Sequence, residues 1–393
     1  MMEKVRLGDV CEILNGFAFK SNNYANSGIR IIRIANVQKG YIEDIDPAFY
    51  PIDSVGLEKY MLEEGDLLVS LTGNVGRVAV LEKKYLPAAL NQRVACLRLK
   101  SDTILKGYLF HLLNSDYFEQ KCIQASNGVA QKNMSTEWLK SYKITLHSKK
   151  EQASIEKILD IINSSINLRK SQKMTLDTLV KSRFIEMFGD PVTNPMGWER
   201  ITLGDAIQVK PQNGLYKPQF DYVNDNSGTP ILRIDAFYDG KVKSFSDLKR
   251  LNCTPDEIEF YLLKEGDIVI NRVNSLEYLG KCAHITGLLE DTVFESNMMR
   301  FHMQDVFNPV YVTYLLCSQY IKNQIMNCAK KAVNQASINQ KDVQGFIILK
   351  PPIDLQNQFA AFVQQVDKSK LVIQKLLEKQ EILRAALMQE YFG

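Results

Sequence analysis

The feature of this sequence that most constrains its fold is an internal duplication that covers the whole chain. Leu7-Gly8-Asp9 returns as Leu203-Gly204-Asp205, and Glu64-Gly65-Asp66 returns as Glu265-Gly266-Asp267. Further matched pairs are Arg33 and Arg233, Gly76 and Gly280, Asn91 and Asn297, Tyr108 and Tyr311, Gln131 and Gln335, Gln152 and Gln356, and Phe188-Gly189 and Phe392-Gly393. Most matches are glycines, Gly-Asp pairs and apolar residues, which set turns and cores. The pattern predicts one scaffold built twice, with variable positions that have diverged.

Each half predicts the same order of elements: short strands, a helix, a final strand and a long helix. The strand segments are rich in Val, Ile and Leu and are bounded by Gly, Asn and Asp. The first half gives strands at Arg30–Ala35, Asp66–Leu71, Arg77–Val80 and Val94–Leu99, a helix near Lys106–Ala125 and a strand near Tyr142–Leu146. The second half gives strands at Ile231–Ala236, Asp267–Asn271, Lys281–His284 and Met299–Met303, a helix near Pro309–Cys328 and a strand near Phe346–Leu349.

The segment that ends each half predicts a long helix with a heptad seam. The seam positions are Ile155, Ile158, Ile162, Ser165, Arg169, Gln172, Leu176 and Leu179 in the first half, and Phe359, Phe362, Val366, Ser369, Ile373, Leu376, Gln380, Leu383 and Leu387 in the second. No proline interrupts residues 149–189 or 354–393. Two matching helices in one chain are expected to pair antiparallel about a pseudo-twofold axis and to hold two globular units apart.

The predicted fold class is α+β, with two duplicated mixed α/β domains separated by two long antiparallel coiled-coil helices. The predicted boundaries are 1–149 for the first domain, 150–190 for the first helix, 197–350 for the second domain and 351–393 for the second helix. Gly189 suits a helix C-cap and Pro191 prevents continuation, which leaves 192–196 as a short linker.

Composition narrows the class of protein. Of 393 residues, 45% are hydrophobic and 24% are charged, as in ordinary folded soluble proteins. The seven cysteines include no Cys-x-x-Cys pair, which favours a reducing cytoplasm and argues against structural zinc. No secretory signal is expected at the N-terminus, and no stretch approaches the roughly 20 apolar residues of a membrane helix. A net charge of +3 is too small for nucleic-acid binding by phosphate neutralisation alone.

No catalytic motif is visible in the sequence. Gly73-Asn74-Val75-Gly76-Arg77 lacks the spacing and the lysine of a phosphate-binding loop, and Gly-x-Gly-x-x-Gly is absent. Also absent is the Asn/Asp-Pro-Pro-Tyr/Phe sequence that positions adenine in many DNA methyltransferases. The four histidines are isolated, and the acidic cluster Asp256-Glu257-x-Glu259 lacks the neighbouring lysine of a nuclease site. We therefore expect a chain that is not an enzyme.

Several motifs resemble those of type I restriction-modification specificity subunits. The stretch Leu179–Pro191 is similar to the end of their first conserved helix. Gly197-Trp198-Glu199, which leads into Leu203-Gly204-Asp205, is similar to the start of their second target-recognition domain. Asn15–Ser21 and Asn91–Val94 resemble stretches of their first. The likeness covers the whole chain, although the second Phe-Gly motif is not followed by Asp-Pro.

The resemblance implies a DNA specificity subunit that does no chemistry itself. Each target-recognition domain, here 1–149 and 197–350, would read one half of a split DNA site, at least in part through the major groove. The two long helices would fix the spacer between the half-sites and dock methyltransferase (modification) subunits. S-adenosylmethionine, ATP and Mg²⁺ would belong to those subunits and to a separate restriction and motor subunit. No cofactor, metal or membrane is implied for this chain, and its diverged domains predict an asymmetric DNA site.

Candidate contacts with double-stranded DNA are polar residues in predicted loops, because Arg, Lys, Asn and Gln read base edges and cations bind phosphates. In the first half they are Lys20, Asn22, Asn23, Asn36, Lys39, Thr72, Asn74, Arg77, Gln92, Arg93, Gln131, Lys132 and Asn133. In the second half they are Lys210, Gln212, Asn213, Lys217, Arg233, Asn271, Arg272, Asn274, Asn297, Lys330, Lys331, Asn334 and Gln335, and Tyr216 is a candidate for stacking. Matched residues such as Asn91 and Asn297 are also candidates for a structural role, since readers of different bases should differ.

Two alternatives remain open from the sequence. One is the specificity subunit of a related system, in which methylation and cleavage reside on one partner chain. The other is a duplicated coiled-coil scaffold that binds protein rather than DNA, which a near-neutral charge permits. A hidden enzyme is a more distant third.

Overall fold

A computed structural model describes residues 3–126, 133–225, 227–333 and 335–393 of the chain. The fold divides into two units. The first unit comprises residues 1–172 and 373–393, and the second comprises residues 173–372. Each unit therefore combines one mixed α/β segment with one end of each long helix, and the first unit is discontinuous in sequence whereas the second is one continuous stretch.

The first unit is built mainly from short strands. In chain order they are β1 Glu3–Arg6, β2 Cys11–Asn15, β3 Ile29–Ile32, β4 Phe49–Tyr50, β5 Leu67–Ser70, β6 Val78–Val80, β7 Ala88–Leu90, β8 Val94–Leu99 and β9 Lys143–Leu146. Its helices are α1 Leu7–Val10, α2 Lys106–Leu113, α3 Asp116–Ala125, α4 Thr136–Ser141 and the start of α5 Lys149–Phe188. Strands β2, β8, β5 and β6 form an antiparallel sheet in that order. Strands β4, β3 and β7 form a second sheet, and β1 pairs with β9.

The second unit repeats this plan with additions. Its strands are β10 Glu199–Thr202, β11 Ile207–Asn213, β12 Tyr222–Val223, β13 Thr229–Leu232, β14 Phe237–Tyr238, β15 Gly240–Val242, β16 Lys249–Leu251, β17 Ile268–Asn271, β18 Val273–Asn274, β19 Cys282–His284, β20 Val293–Phe294, β21 Met298–Met303, β22 Lys330–Lys331, β23 Ala336–Ser337 and β24 Ile347–Lys350. Its helices are α6 Leu203–Ala206, α7 Pro255–Tyr261, α8 Pro309–Leu316, α9 Gln319–Cys328 and α10 Gln340–Gln344, together with the end of α5 and the first half of α11 Ile353–Phe392. Strands β11, β21, β17 and β19 match β2, β8, β5 and β6, and β15 and β14 extend that sheet.

The repeated Glu-Gly-Asp motif forms a turn before a central strand of each sheet. The Asp66 carboxylate accepts the N–H of Glu63 at 2.8 Å and binds Arg98 on the neighbouring strand at 2.8 Å. In the second unit, the buried Asp267 accepts the N–H of Lys264 at 2.8 Å and binds Arg300 at 3.2 Å and His302 at 2.9 Å on the neighbouring strand. The motif is therefore conserved between the halves because its carboxylate fixes a turn and holds a cation across two strands.

The helix predicted over Lys106–Ala125 is wrong as a single element, because two helices, α2 and α3, occupy that segment. The break falls at Ser115, whose hydroxyl accepts the N–H of Phe118 at 3.1 Å and so starts a new helix. The predicted helix Pro309–Cys328 is broken at the same place, into α8 and α9.

The predicted heptad seam is displaced in part along both long helices. In α5 the buried apolar residues are Ile155, Leu159, Ile166, Val180, Phe184, Met187 and Phe188, whereas the predicted Ile158 and Leu179 are 38% and 45% exposed. In α11 the buried apolar residues are Phe359, Val363, Val366, Leu377 and Phe392, so the predicted Phe359 and Val366 are confirmed, whereas the predicted Leu376 and Leu383 are 38% and 50% exposed. Neighbouring apolar residues made the choice ambiguous, since sequence spacing alone does not show which of two adjacent positions faces the partner.

The two long helices pair antiparallel, as expected from the duplication. In the first unit, the amide of Gln380 donates to the hydroxyl of Ser165 at 2.7 Å, and Phe392 joins the core that contains Ile155. In the second unit, the ring of Phe184 packs on Phe359 with centroids 5.4 Å apart. Rising numbers on α5 thus meet falling numbers on α11 within each unit.

Two buried glutamines attach the start of each long helix to its unit. Gln152 accepts the N–H of Leu105 at 2.8 Å and donates to the carbonyls of Thr103 and His147 at 2.9 and 2.8 Å. Gln356 accepts the N–H of Asn308 at 2.8 Å in the second unit. The matched glutamines are therefore structural, because they satisfy backbone groups that burial removes from water.

Candidate nucleic-acid interface

One end of the main sheet collects most of the polar loops in the first unit. Because β2, β8, β5 and β6 are antiparallel neighbours, the ends of β2 and β5 and the starts of β8 and β6 lie together. A bridge between Thr72 and Asn133 adds the segment that precedes α4. We call this surface the first loop end, and it comprises residues 15–17, 71–77, 91–93 and 133.

The second unit has an equivalent surface. The ends of β11 and β17 and the starts of β21 and β19 lie together, and β18 pairs with β23, which pairs with β22. We call this surface the second loop end, and it comprises residues 213–215, 271–281, 295–297, 330–333 and 335–337. The same end of the main sheet therefore carries polar loops in both units.

The structure brings together about half of the residues predicted to contact DNA. The first loop end carries Thr72, Asn74, Arg77, Gln92, Arg93 and Asn133, and the second carries Asn213, Asn271, Arg272, Asn274, Asn297, Lys330, Lys331 and Gln335. Elsewhere lie Lys20, Asn22, Asn23, Asn36 and Lys39, together with Lys210, Gln212, Lys217 and Arg233. Gln131, Lys132 and Asn334 fall outside the described residues.

Two of the first-half candidates away from the loop end are engaged within the protein. Asn36 is buried, accepts the N–H of Arg33 at 2.8 Å and donates to the carbonyl of Glu43 at 2.9 Å. Lys39 forms ion pairs with Asp116 at 2.5 Å and with Glu119 at 2.8 Å. In contrast, Lys20, Asn22 and Asn23 are exposed at a short 3-10 turn.

Three second-half candidates away from the loop end are also engaged. The side chain of Lys217 is 17% exposed and pairs with Glu257 at 2.8 Å. The amide of Gln212 accepts from Arg300 at 2.9 Å, and Arg233 lies 3.6 Å from Glu295. These side chains stabilise the unit in the structure, whereas Lys210 is exposed.

At the first loop end, Arg77 and Arg93 differ in their surroundings. The guanidinium of Arg77 donates to the side chain of Gln38, and its backbone N–H donates to the hydroxyl of Ser70 at 3.0 Å. Arg93 is exposed and lines a groove of about 570 Å³ together with Gln92, Asn91 and Arg33. No carboxylate occurs within 71–77 or 91–93, although Glu43 and Asp46 line the same groove as Arg93.

The second loop end contains a lysine that sequence reasoning missed. Lys281 follows Gly280 as Arg77 follows Gly76, so the matched glycines were a usable signal. Its ammonium donates to the carbonyl of Ile234 at 2.6 Å and lies 3.7 Å from the ring centroid of Tyr238. Burial lowers the pKa of Lys281.

The match between Asn91 and Asn297 is wrong, although both residues lie at loop ends. The N–H of Asn91 donates to Ile32 at 3.2 Å, whereas the N–H of Glu295 donates to the equivalent Leu232 at 3.0 Å. Asn91 therefore corresponds to Glu295, two positions before Asn297. The sequence match failed because identity of residue type was taken as identity of position in a segment whose side chains have diverged.

The long helices present a second, apolar surface. On α5, the exposed apolar residues are Ile158, Ile161 and Leu168 in the first unit and Met174, Leu179 and Ile185 in the second. On α11 they are Leu376, Ile382 and Leu383 in the first unit and Leu371 and Val372 in the second. Each unit therefore exposes apolar side chains on both long helices.

The described residues contain no group of three or more His, Cys, Asp or Glu side chains placed to hold a metal ion. Likewise, no helix in the described part of the chain has the length and apolarity needed to cross a membrane.

Sequence comparison gives a family match over both halves. The family of the type I restriction modification DNA specificity domain matches residues 1–177 and 195–384. The EcoKI specificity subunit of Escherichia coli (strain K12), a type I restriction enzyme subunit, is 23% identical over 376 residues, which cover 91% of this chain and 80% of that protein. The putative MjaX specificity subunit of Methanocaldococcus jannaschii is 32% identical over 203 residues, 50% of this chain and 46% of that protein.

Solved structures share the fold. The S subunit of a type I restriction-modification system from M. genitalium aligns with a TM-score of 0.58 at 14% identity, covering 100% of this chain and 96% of that one. A chain from a study of assembly and conformational transition of the type I R-M system aligns with a TM-score of 0.59 at 17% identity, covering 100% and 97%. These likenesses confirm the duplicated α+β fold expected from the sequence.

Proposed function

The chain belongs to the type I restriction modification DNA specificity domain family and is a specificity subunit of that kind; from this premise we propose that each unit reads one half of a split, asymmetric DNA site. The observation that supports the proposal is the repeated loop end. In both units the same strand ends carry polar residues, but the residues differ. A common scaffold with different side chains is what two readers of different sequences require.

We further propose that this chain supplies recognition and assembly, while its partners supply chemistry. The partners are methyltransferase subunits, which use S-adenosylmethionine, and a restriction subunit, which uses ATP and Mg²⁺. The exposed apolar residues of α5 and α11 support docking of the methyltransferase subunits on the long helices. Enclosure of the duplex by those subunits fits the small net charge of +3, and a cytoplasmic location follows from such partners.

The test is DNA binding by a complex reconstituted with the methyltransferase subunit. Arg77→Ala and Arg272→Ala should each weaken binding to host DNA fragments, because each removes a cation from a loop end. Lys100→Ala is the matched control, since Lys100 follows β8 at its opposite end and is exposed. Normal affinity of both arginine variants in complexes that still assemble would contradict the assignment of the loop ends.

A further inference from the structure

The same backbone turn carries different side chains at the two loop ends. The N–H of Leu71 donates to the carbonyl of Arg93 at 2.9 Å, and the N–H of Arg272 donates to the carbonyl of Asn297 at 2.8 Å. These bonds place Arg93 and Asn297 at one equivalent position of the duplicated scaffold. The backbone there is held to the neighbouring segment in both units, so that the side chain is the feature that differs.

The turns in question are residues 91–93 and 295–297. The first residue of each, Asn91 or Glu295, is hydrogen-bonded within the protein. The Asn91 side chain accepts the N–H of Arg93 at 3.2 Å. The Glu295 carboxylate accepts the N–H of Ile234 at 2.5 Å and lies 3.6 Å from Arg233. The Asn91 amide oxygen and the Glu295 carboxylate therefore help to shape the turn.

The third residue of each turn, Arg93 or Asn297, differs from the first. Its side chain has no hydrogen-bond partner within the part of the chain that the structure describes. Arg93 is exposed, and its guanidinium makes no hydrogen bond or ion pair there. The side-chain amide of Asn297 likewise has no partner among the described residues, although its carbonyl is bonded. By contrast, the guanidinium of Arg77 donates to the side chain of Gln38, and the guanidinium of Arg272 donates to the carbonyl of Ser296.

The chemistry of the two side chains points to different base pairs. An arginine fork donates two hydrogen bonds to O6 and N7 of guanine, which no other base offers in the major groove. An asparagine amide donates to N7 and accepts from N6 of adenine. A fixed backbone position with a free arginine in one unit and a free asparagine in the other is suited to this distinction.

We infer that Arg93 and Asn297 are equivalent specificity residues, with Arg93 reading a G·C pair in one half-site and Asn297 reading an A·T pair in the other. The inference rests on the proposed function and names the base class that each unit reads at this position. It assigns the two residues to opposite halves of the split site.

The experiment is a base-resolution adenine methylation map of cells that express the methyltransferase subunit with each variant chain. Arg93→Ala should relax one G·C position of one half-site, so that methylation at the other base pairs there rises about 5- to 150-fold relative to wild type. Arg93→Lys should relax the same position less than Arg93→Ala, because lysine keeps the charge and can still donate to guanine but lacks the fork. Asn297→Ala should relax one A·T position in the other half-site.

Arg93→Asn gives the sharpest result, because misfolding cannot imitate a new specificity. It should move the preference at the relaxed position from G·C towards A·T. Lys100→Ala should leave the motif unchanged. An unaltered motif in Arg93→Ala, or relaxation of the same half-site by Arg93→Ala and Asn297→Ala, would overturn the inference.

The failure of the proposed function would look different. In that case the wild-type chain itself would direct no split methylation motif. A clear wild-type motif that is insensitive to Arg93 and Asn297 would leave the proposed function intact and remove only this inference.

Discussion

Single residues of this chain divide into those that build the scaffold and those left free at the loop ends. Gln152 and Gln356 are fully buried and satisfy backbone groups at the start of the long helices. Arg93 and Asn297 occupy equivalent places, but their side chains have no hydrogen-bond partner among the described residues. Identity between the repeats thus marks structure at Gln152, and difference marks the position at which we expect recognition.

Replacement of a matched glutamine should destabilise the fold. Gln152→Ala leaves the N–H of Leu105 and the carbonyls of Thr103 and His147 without this partner. We expect the free energy of unfolding to fall by about 1–3 kcal/mol, as measured by thermal or urea denaturation of the purified chain. Gln120→Ala on the exposed face of α3 is the control, and equal stability of the two variants would contradict the role given to Gln152.

Thiol reactivity should follow burial. Cys11 is buried, and burial raises the pKa of its thiol to about 12, so it stays protonated at pH 8. Cys317 is exposed. Since the thiolate is the reactive form, iodoacetamide should label Cys317 well before Cys11 in the native protein, as followed by mass spectrometry. Comparable rates at both residues would show that the first sheet is not packed as described.

At the scale of elements, the duplication predicted the order of strands and helices, but local boundaries required the structure. Val94–Leu99 was placed correctly because an apolar run is bounded by turn residues on both sides. The break between α2 and α3 was missed, since Ser115 acts as a cap only when the next turn is helical. The loop ends could not be foreseen as surfaces, because they are assembled from four strands that are distant in sequence.

The linker between the halves is held in place by hydrogen bonds of Trp198 and Asn194. The indole N–H of Trp198 donates to the carbonyl of Phe188 at 2.9 Å, and the Asn194 side chain bonds the backbone of Trp198 at both its N–H and its carbonyl. Gly189 adopts a φ of +77°, which suits a helix end. Trp198→Phe should lower the free energy of unfolding by about 1 kcal/mol, because it removes the indole N–H donor but keeps an aromatic ring. Denaturation curves that superimpose on wild type would contradict this role.

The exposed apolar face of α5 should be needed for assembly. Leu168 is 59% exposed, and Leu168→Glu should reduce co-purification of the methyltransferase subunit because a charge replaces apolar contact area. Asn167→Glu adds the same side chain about 100° around the helix and is the control. Undiminished co-purification of Leu168→Glu would argue that the partner docks elsewhere.

At the scale of the whole molecule, charge and duplication together define how the chain should act. The net charge of +3 supports few phosphate contacts by the chain alone. We expect the isolated chain to bind DNA about tenfold or more weakly than its complex with the methyltransferase subunit at physiological salt. Fluorescence anisotropy over a salt series measures both, and equal affinities would show that the chain needs no partner to hold DNA.

The central claim is that this one chain determines which DNA sequence its partners modify. It is tested most directly by a base-resolution map of adenine methylation in cells that carry the partner genes with and without this gene. We expect one split, asymmetric motif to be methylated only when the chain is present. Persistence of every methylated motif after deletion, with the partner subunits still expressed, would contradict it and would favour a scaffold that does not read DNA.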